Sequence, residues 1–191
     1  MSAGFQRNGK HVSDNSDLPT EDELSIIMRQ HDMWLRTKKQ GQPADFSGKD
    51  FSFNQTKQFR SINLSEATCK KTNFSGVDLE NCNFTSATLW GATFSAATNL
   101  IGVNFVNAKM DKTTKFIDAN LRYSIVRAQD FNDVDLLKTS RDKLPAALQE
   151  LRDVQEKVRI REHKKWLEDY KKAGRNRGKS STGNTRWDID L

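Results

Sequence analysis

Side chains able to do chemistry are few in this 191-residue chain, and they stand apart. Three histidines, His11, His31 and His163, and two cysteines, Cys69 and Cys82, are its candidate bases, nucleophiles and soft metal ligands. A zinc centre needs Cys or His pairs a few residues apart or an HExxH helix, and a phosphate-binding loop needs the spacing G-x-x-x-x-G-K-[ST]. None of these spacings occurs. His31 has no neighbouring nucleophile or second ligand and reads as a packed or hydrogen-bonded core histidine, while His11 and His163 are isolated in polar sequence. The expectation is no catalytic, cofactor or metal site, and enzyme is the least favoured class.

The elements that hold these residues are set by an unusual period. Within "VDLENCNFTSATLWGATF" a Leu or Phe returns at every fifth residue, at Leu79, Phe84, Leu89 and Phe94. Neither the 3.6-residue helical period nor the two-residue strand period keeps such a series on one side. The register starts at Phe46 and Phe51, crosses an irregular "SFNQTKQ", and runs through Phe59, Leu64, Cys69 and Phe74 to Phe94. One extra residue shifts it to Leu100, Phe105 and Met110, and a second shifts it to Phe116, Leu121, Val126, Phe131 and Leu136. Two residues before a centre sits a small or modest side chain, as at Ile62, Ala67, Thr72, Val77, Cys82, Ala87, Ala92, Val103, Ala108 and Ala119. Between the two lies Asn, Asp or Thr.

Side chains two apart in extended backbone share a face, so each centre and its small partner point inward together. If each pentapeptide is one side of a four-sided coil, twenty residues complete a turn and residues twenty apart stack: Phe59 over Leu79, Leu64 over Phe84, Phe74 over Phe94. Hydrogen bonds between turns then satisfy the backbone with few apolar residues. This accounts for a hydrophobic content of only 35% and a mean hydropathy of -0.78. In this register Cys69 and Cys82 are core residues, expected as reduced thiols. Gln129 and Lys57 fall on small inward positions, so irregularity is expected there and at the two shifts.

The A-[D/N]-[L/F]-x-x pattern, clearest in "ADFSGKDFSF" and "ANLRYS", resembles that of the pentapeptide-repeat family. The lead-in, with His31, Trp34, Leu35 and Gly41 ahead of Ala44, Asp45 and Phe46, resembles the "HxxWL...G" approach of some members. The resemblance implies an all-β solenoid with helical flanks, a right-handed quadrilateral parallel β-helix. It also implies a possible DNA-mimic role, inhibiting or protecting a type II topoisomerase such as DNA gyrase, often as dimers joined through a C-terminal helix.

Five segments are expected: residues 1–19 disordered, 20–43 an N-terminal capping helix, 44–137 the repeats, 138–173 a C-terminal helix and 174–191 a disordered basic tail ending in WDIDL. Thr20 and Glu23 form a capping box, and Leu24, Ile27, Met28, His31, Trp34 and Leu35 share a helical face. On the C-terminal helix Ala147, Leu148, Leu151, Val154 and Val158 are amphipathically spaced, a face for capping the last coil or pairing with a second copy.

The net charge of +6 is concentrated at one end. Residues 1–43 carry six basic and six acidic side chains, 44–136 ten and ten, and 137–191 fifteen and nine. An acidic DNA mimic is therefore disfavoured by the repeats. The tail residues Lys171, Lys172, Arg175, Arg177, Lys179, Arg186, Trp187, Ile189 and Leu191 are candidates for gripping phosphates or docking on a partner. On the repeats, Trp90, Ile101, Val106 and Ile117 break a rule of polar outward residues and form a candidate partner patch. The favoured reading is a non-catalytic protein-protein interaction scaffold or adaptor; DNA mimicry and nucleic-acid or anionic-surface binding through the tail are the alternatives. No apolar run is long enough to span a membrane and no secretory signal is evident. A cytoplasmic, bacterial or phage-encoded protein is expected, with export as an effector through the Ser/Asn-rich N-terminus left open.

Overall fold

The structure is a computed structural model and describes residues 18–52 and 59–177, with side chains to residue 173. Helix α1 spans Glu21–Thr37. The Thr20 hydroxyl accepts from the Glu23 N–H and the Glu23 carboxylate accepts from the Thr20 N–H, so two orphan donors of the first turn are satisfied reciprocally. Lys38, in left-handed conformation, closes the other end with its N–H on the Trp34 carbonyl. Gly41 follows at φ +75°, where an added Cβ would lie 2.1 Å from the Gln30 carbonyl, so the chain turns back against the helix only with glycine there.

From Asp45 onward the backbone coils. Parallel bridges link residues 20 to 23 positions apart, and they fall into four columns. The first side joins Asp45, Thr68, Thr88 and Lys109; the second Asp50, Asn73, Thr93 and Lys115; the third Asp78, Asn99 and Asn120; the fourth Asn63, Asn83, Asn104 and Ile125. Two two-residue strands, β1 (Thr93–Phe94) and β2 (Lys115–Phe116), pair in parallel on the second side.

The corners explain why five residues make one side. After a centre the chain makes a turn such as Ala67 N–H to Leu64 carbonyl, 3.1 Å, and the residue two past the centre takes positive φ. Glu66, Lys71, Asn81, Ser86 and Tyr123 do so, as do Gly76, Gly91 and Gly102. Positive φ at the third position of a four-residue turn is the type II geometry. The Asn and Asp of each pentad serve the same corner: Asn63 Oδ1 accepts the Ser65 N–H at 3.1 Å, and Asn83 Oδ1 the Thr85 N–H at 3.0 Å. Asn83 also donates through Nδ2 to Asn63 Oδ1 at 3.0 Å, linking one turn to the next.

All the centres are buried except Met110 and Val126, which are partly so. Phe51, Phe74, Phe94 and Phe116 stack down the second side with centroids 4.7 to 5.7 Å apart and rings within 12° of parallel. Phe84 meets Phe94 edge-on at 83°. Such pairs add about 0.5–1.5 kcal/mol each beyond burial.

Both six-residue steps are solved alike. At Phe94 to Leu100 and at Met110 to Phe116 the left-handed residue is absent, and a threonine takes the inward small position. Thr98 Oγ1 donates to the Phe74 carbonyl at 2.9 Å and accepts the Ser95 N–H at 3.0 Å. Thr114 Oγ1 donates to the Leu89 carbonyl at 2.9 Å and accepts the Asp111 N–H at 3.1 Å. Near Gln129 the coil gives way to a 3-10 turn over Ala128–Phe131, which leaves Gln129 exposed; Lys57 lies outside the described residues.

The C-terminal boundary differs from the expected residue 138. Asp118 N–H still donates to the Lys138 carbonyl and Leu121 N–H to the Lys143 carbonyl, both at 2.9 Å, so the segment to Lys143 continues the coil. A 3-10 turn at Arg141–Lys143 and Pro145 precede helix α2, Ala146–Arg177, which passes through Gly174.

Candidate interaction surfaces

Those of the chemically capable residues that lie among the described ones are packed in the core or stand apart. His31 is fully buried at the seam of α1 and the first coil turn, where Nδ1 accepts the Ala44 N–H. Burial, reinforced by the Lys38 charge, lowers its pKa below the ordinary histidine range. Cys69 and Cys82 are free thiols in the core. Burial pushes both up, Cys82 to about 12, so neither is a thiolate nucleophile at neutral pH. Cys82 Sγ donates to the Phe59 carbonyl in the way the inward threonines do. His163 lies exposed on α2, stacked with Trp166, which stacks in turn on Tyr170; His11 is outside the described residues. Among the described residues no group of three or more His, Cys, Asp or Glu stands ready to hold a metal.

The four outward residues of the expected patch are placed on four different sides. Trp90 follows Thr88 on the first, Ile117 follows Lys115 on the second, Ile101 follows Asn99 on the third and Val106 follows Asn104 on the fourth. Trp90 and Ile117 are exposed, whereas Ile101 and Val106 are half-buried with their N–H groups held by Asn99 and Asn104. Tyr123 and Ile125, not singled out in the sequence, are more exposed than any of these four. Their positions two residues after Leu121 and one before Val126 are outward ones, so the register already held that signal.

Helix α2 meets the coil through only part of the expected face. Leu148 is fully buried and Leu151 packs on the core, but Ala147, Val154 and Val158 are exposed. The helix has turned so that polar residues complete the contact. Gln155 Nε2 donates to the Val134 carbonyl at 2.7 Å while its Oε1 accepts the Leu136 N–H at 3.1 Å, and Arg152 Nε donates to the Thr139 carbonyl at 3.1 Å. The Gln155 amide thus pairs with the last coil turn much as another strand would, closing an edge that would otherwise invite pairing. Gln155 lies seven residues after Leu148, on the same helical face, which is the sequence signal that was available. The approach to α2 is held by Lys143 Nζ on Asp118 at 2.6 Å, and that bond, with Ser140, holds the Asp118 carboxyl down to about 2.

Beyond Gln155 every side chain described is exposed except Leu167. A groove of about 820 Å³ runs along this part of the helix, lined in part by Leu137, Ile160, His163 and Trp166. Lys171 and Lys172 are exposed at its far end; Arg175 and Arg177 are in the helical backbone, and Lys179, Arg186, Trp187, Ile189 and Leu191 lie outside the described residues. No helix among the described residues is long and apolar enough to cross a membrane.

The five-residue sides, the asparagine ladders and the interleaved phenylalanines define a class of repeat. The family of pentapeptide repeats matches residues 62–98 in eight copies, and this segment is pentapeptide-repeat sequence. Among solved structures the chain is similar to a pentapeptide repeat protein from the Arabidopsis thaliana thylakoid lumen, at 25% identity, covering 55% of this chain and 71% of that one with a TM-score of 0.22. It is also similar to HetL, a pentapeptide repeat protein involved in heterocyst differentiation regulation from the cyanobacterium Nostoc sp. strain PCC 7120. There the identity is 13%, covering 55% of this chain and 44% of that one, with a TM-score of 0.18. No curated protein matches in sequence.

Proposed function

We propose that the chain is a non-catalytic scaffold: a right-handed quadrilateral β-helix, capped by α1 and α2, that holds α2 out for a protein partner. The right-handed sense follows the general rule for parallel β crossovers. The observation that carries the reading is the second half of α2. The helix is 32 residues long, about 48 Å at 1.5 Å per residue, and past Gln155 it exposes Val158, Ile160, Trp166 and Tyr170. Helices that expose apolar and aromatic residues along their length gain by docking them. The coil beneath is filled by side chains, with phenylalanines fully buried from Phe46 to Phe131, so it offers rigidity in place of an internal site.

The test is a pull-down from nuclease-treated lysate of the encoding organism, comparing the natural chain with an Ile160→Asp, Trp166→Ala double variant. A stoichiometric protein held by the first and lost by the second supports the reading. Retention unaffected by the substitutions, or no retained protein, rejects it.

A further inference from the structure

Ion pairing on the coil is uneven. Arg60 pairs with Asp78 and Glu80 and Arg122 with Asp142 on the third side, and Arg127 pairs with Asp130 at the end of the fourth. On the first side Lys70, Lys71, Lys109 and Lys112 are all exposed, and among the described residues none of them has an ion-pair partner. Trp90 sits in the turn between them, 43% exposed, with Lys70 Nζ 5.0 Å from its ring centroid. Asp111 is the acid nearest in register, but its Oδ1 is committed to the N–H groups of Gly91, Thr113 and Thr114 and to the Thr113 hydroxyl.

A protein docked on Trp90 would strip water from four ammonium groups and would have to match each with an acid. The apolar surface around this tryptophan is also too small to reward that, because its outward neighbours on the first side, Thr68, Lys70, Lys71, Thr88, Lys109 and Asp111, are all polar. A polymer that alternates anions with planar rings meets both demands at once. The lysines lie one turn before and one turn after Trp90, so the two charged layers are two inter-strand steps, roughly 10 Å, apart. Duplex DNA hides its base faces, so only a single strand can offer one to the indole.

We infer that the first side of the coil binds single-stranded nucleic acid, with a base stacked on Trp90 and phosphates held by Lys70 and Lys71 before it and by Lys109 and Lys112 after it. This binding surface is separate from the protein-docking half of α2 and goes beyond the scaffold reading.

The experiment uses the full chain with Trp34, Trp166 and Trp187 each replaced by Phe, so that Trp90 alone emits, titrated with a twelve-residue oligo(dT). Circular dichroism verifies that each variant keeps the fold of the natural chain. Quenching of Trp90 that is reversed by salt is expected. In the natural chain, followed by anisotropy of labelled oligo(dT), Trp90→Ala weakens binding about tenfold or more. Lys70→Gln with Lys71→Gln lowers the slope of log affinity against log salt by about 0.7 for each phosphate no longer neutralised. Binding that leaves Trp90 emission unchanged, equal affinity of Trp90→Ala, quenching by a duplex as strong as by the single strand, or no binding at low salt would each overturn the assignment.

Discussion

The Nδ1 of His31 accepts the N–H of Ala44 at 3.0 Å, and this bond ties α1 to the residue just before the coil begins. The acceptor role requires neutral imidazole. The neutral ring that accepts at Nδ1 carries its proton on Nε2, so a second proton must go to Nδ1, where it breaks the bond from Ala44 and charges a buried ring. Because burial lowers the His31 pKa, the unfolded chain binds more protons than the folded one as pH drops below the ordinary histidine value of about 6.5. The stability from this group is therefore complete above that pH and is lost as pH falls toward the folded pKa. Urea denaturation at a series of pH values should show the midpoint falling between pH 7 and pH 5, and His31→Asn should flatten that fall. A profile unmoved by the substitution would remove His31 from the account.

Thr98 and Thr114 hold the two six-residue corners with hydroxyls that both donate and accept. Thr98→Val and Thr114→Val keep the volume and remove the hydroxyl's bonds, leaving the Phe74 and Leu89 carbonyls with only their corner partners, the N–H groups of Val77 and Ala92. Each should cost about 1–3 kcal/mol, read as a lowered denaturation midpoint. Thr85→Val, at an ordinary corner where the hydroxyl is outward, is the control and should cost less.

Ser86 has φ 59° and Gly102 φ 69°, so the same corner position is occupied once with strain and once without. Left-handed backbone costs a non-glycine residue about 1–2 kcal/mol. Ser86→Gly should raise the melting temperature, with part of the gain offset by the added freedom of the unfolded chain. Gly102→Ala should lower it. Equal and opposite shifts are not expected, and a fall with both variants would refute the strain argument.

Leu148 and Val154 stand on the same helix with opposite fates. Leu148→Ala should destabilise by about 2–5 kcal/mol because it empties a filled core position. Val154→Ala should stay within about 0.5 kcal/mol in a monomer. A larger effect of Val154→Ala that grows with protein concentration would place a second copy of the chain over that residue.

Gln155 closes the last turn through its amide. Gln155→Leu keeps the length and leaves the Val134 carbonyl and Leu136 N–H unpaired, and an open coil end is a template for other chains. Increased association of the variant, measured by light scattering at rising concentration, is the expected outcome; an unchanged monomer fraction would show that Arg152 and Leu148 suffice.

The repeats were legible because their signal is redundant. A Phe or Leu every fifth residue, repeated through four bridge columns, survives two insertions and a substitution such as Cys69. What escaped notice was polar. Thr98 and Thr114 look like neutral residues until the carbonyl above them is located, and Gln155 looks like a solvent-facing helix residue until its amide is seen against an open turn. The placement of Trp90, Ile101, Val106 and Ile117 on four sides follows from the five-residue register itself, which puts Ile101 and Val106 on adjacent faces of one turn and Ile117 one face away on the other side of Ile101.

The four bridge columns also make the coil a ruler. Duplicating one complete turn, for example residues 63–82, inserts a copy ahead of Asn83 and leaves both caps with the surfaces they already contact, including the Lys38–Glu66 pair at the α1 end. Such a change would alter the separation of α1 from α2 by one inter-strand step, about 4.8 Å, with little change in their mutual heading. Reach in this molecule is therefore counted in whole turns, and lineages carrying such a coil can lengthen or shorten their span by copying twenty residues without redesigning either end.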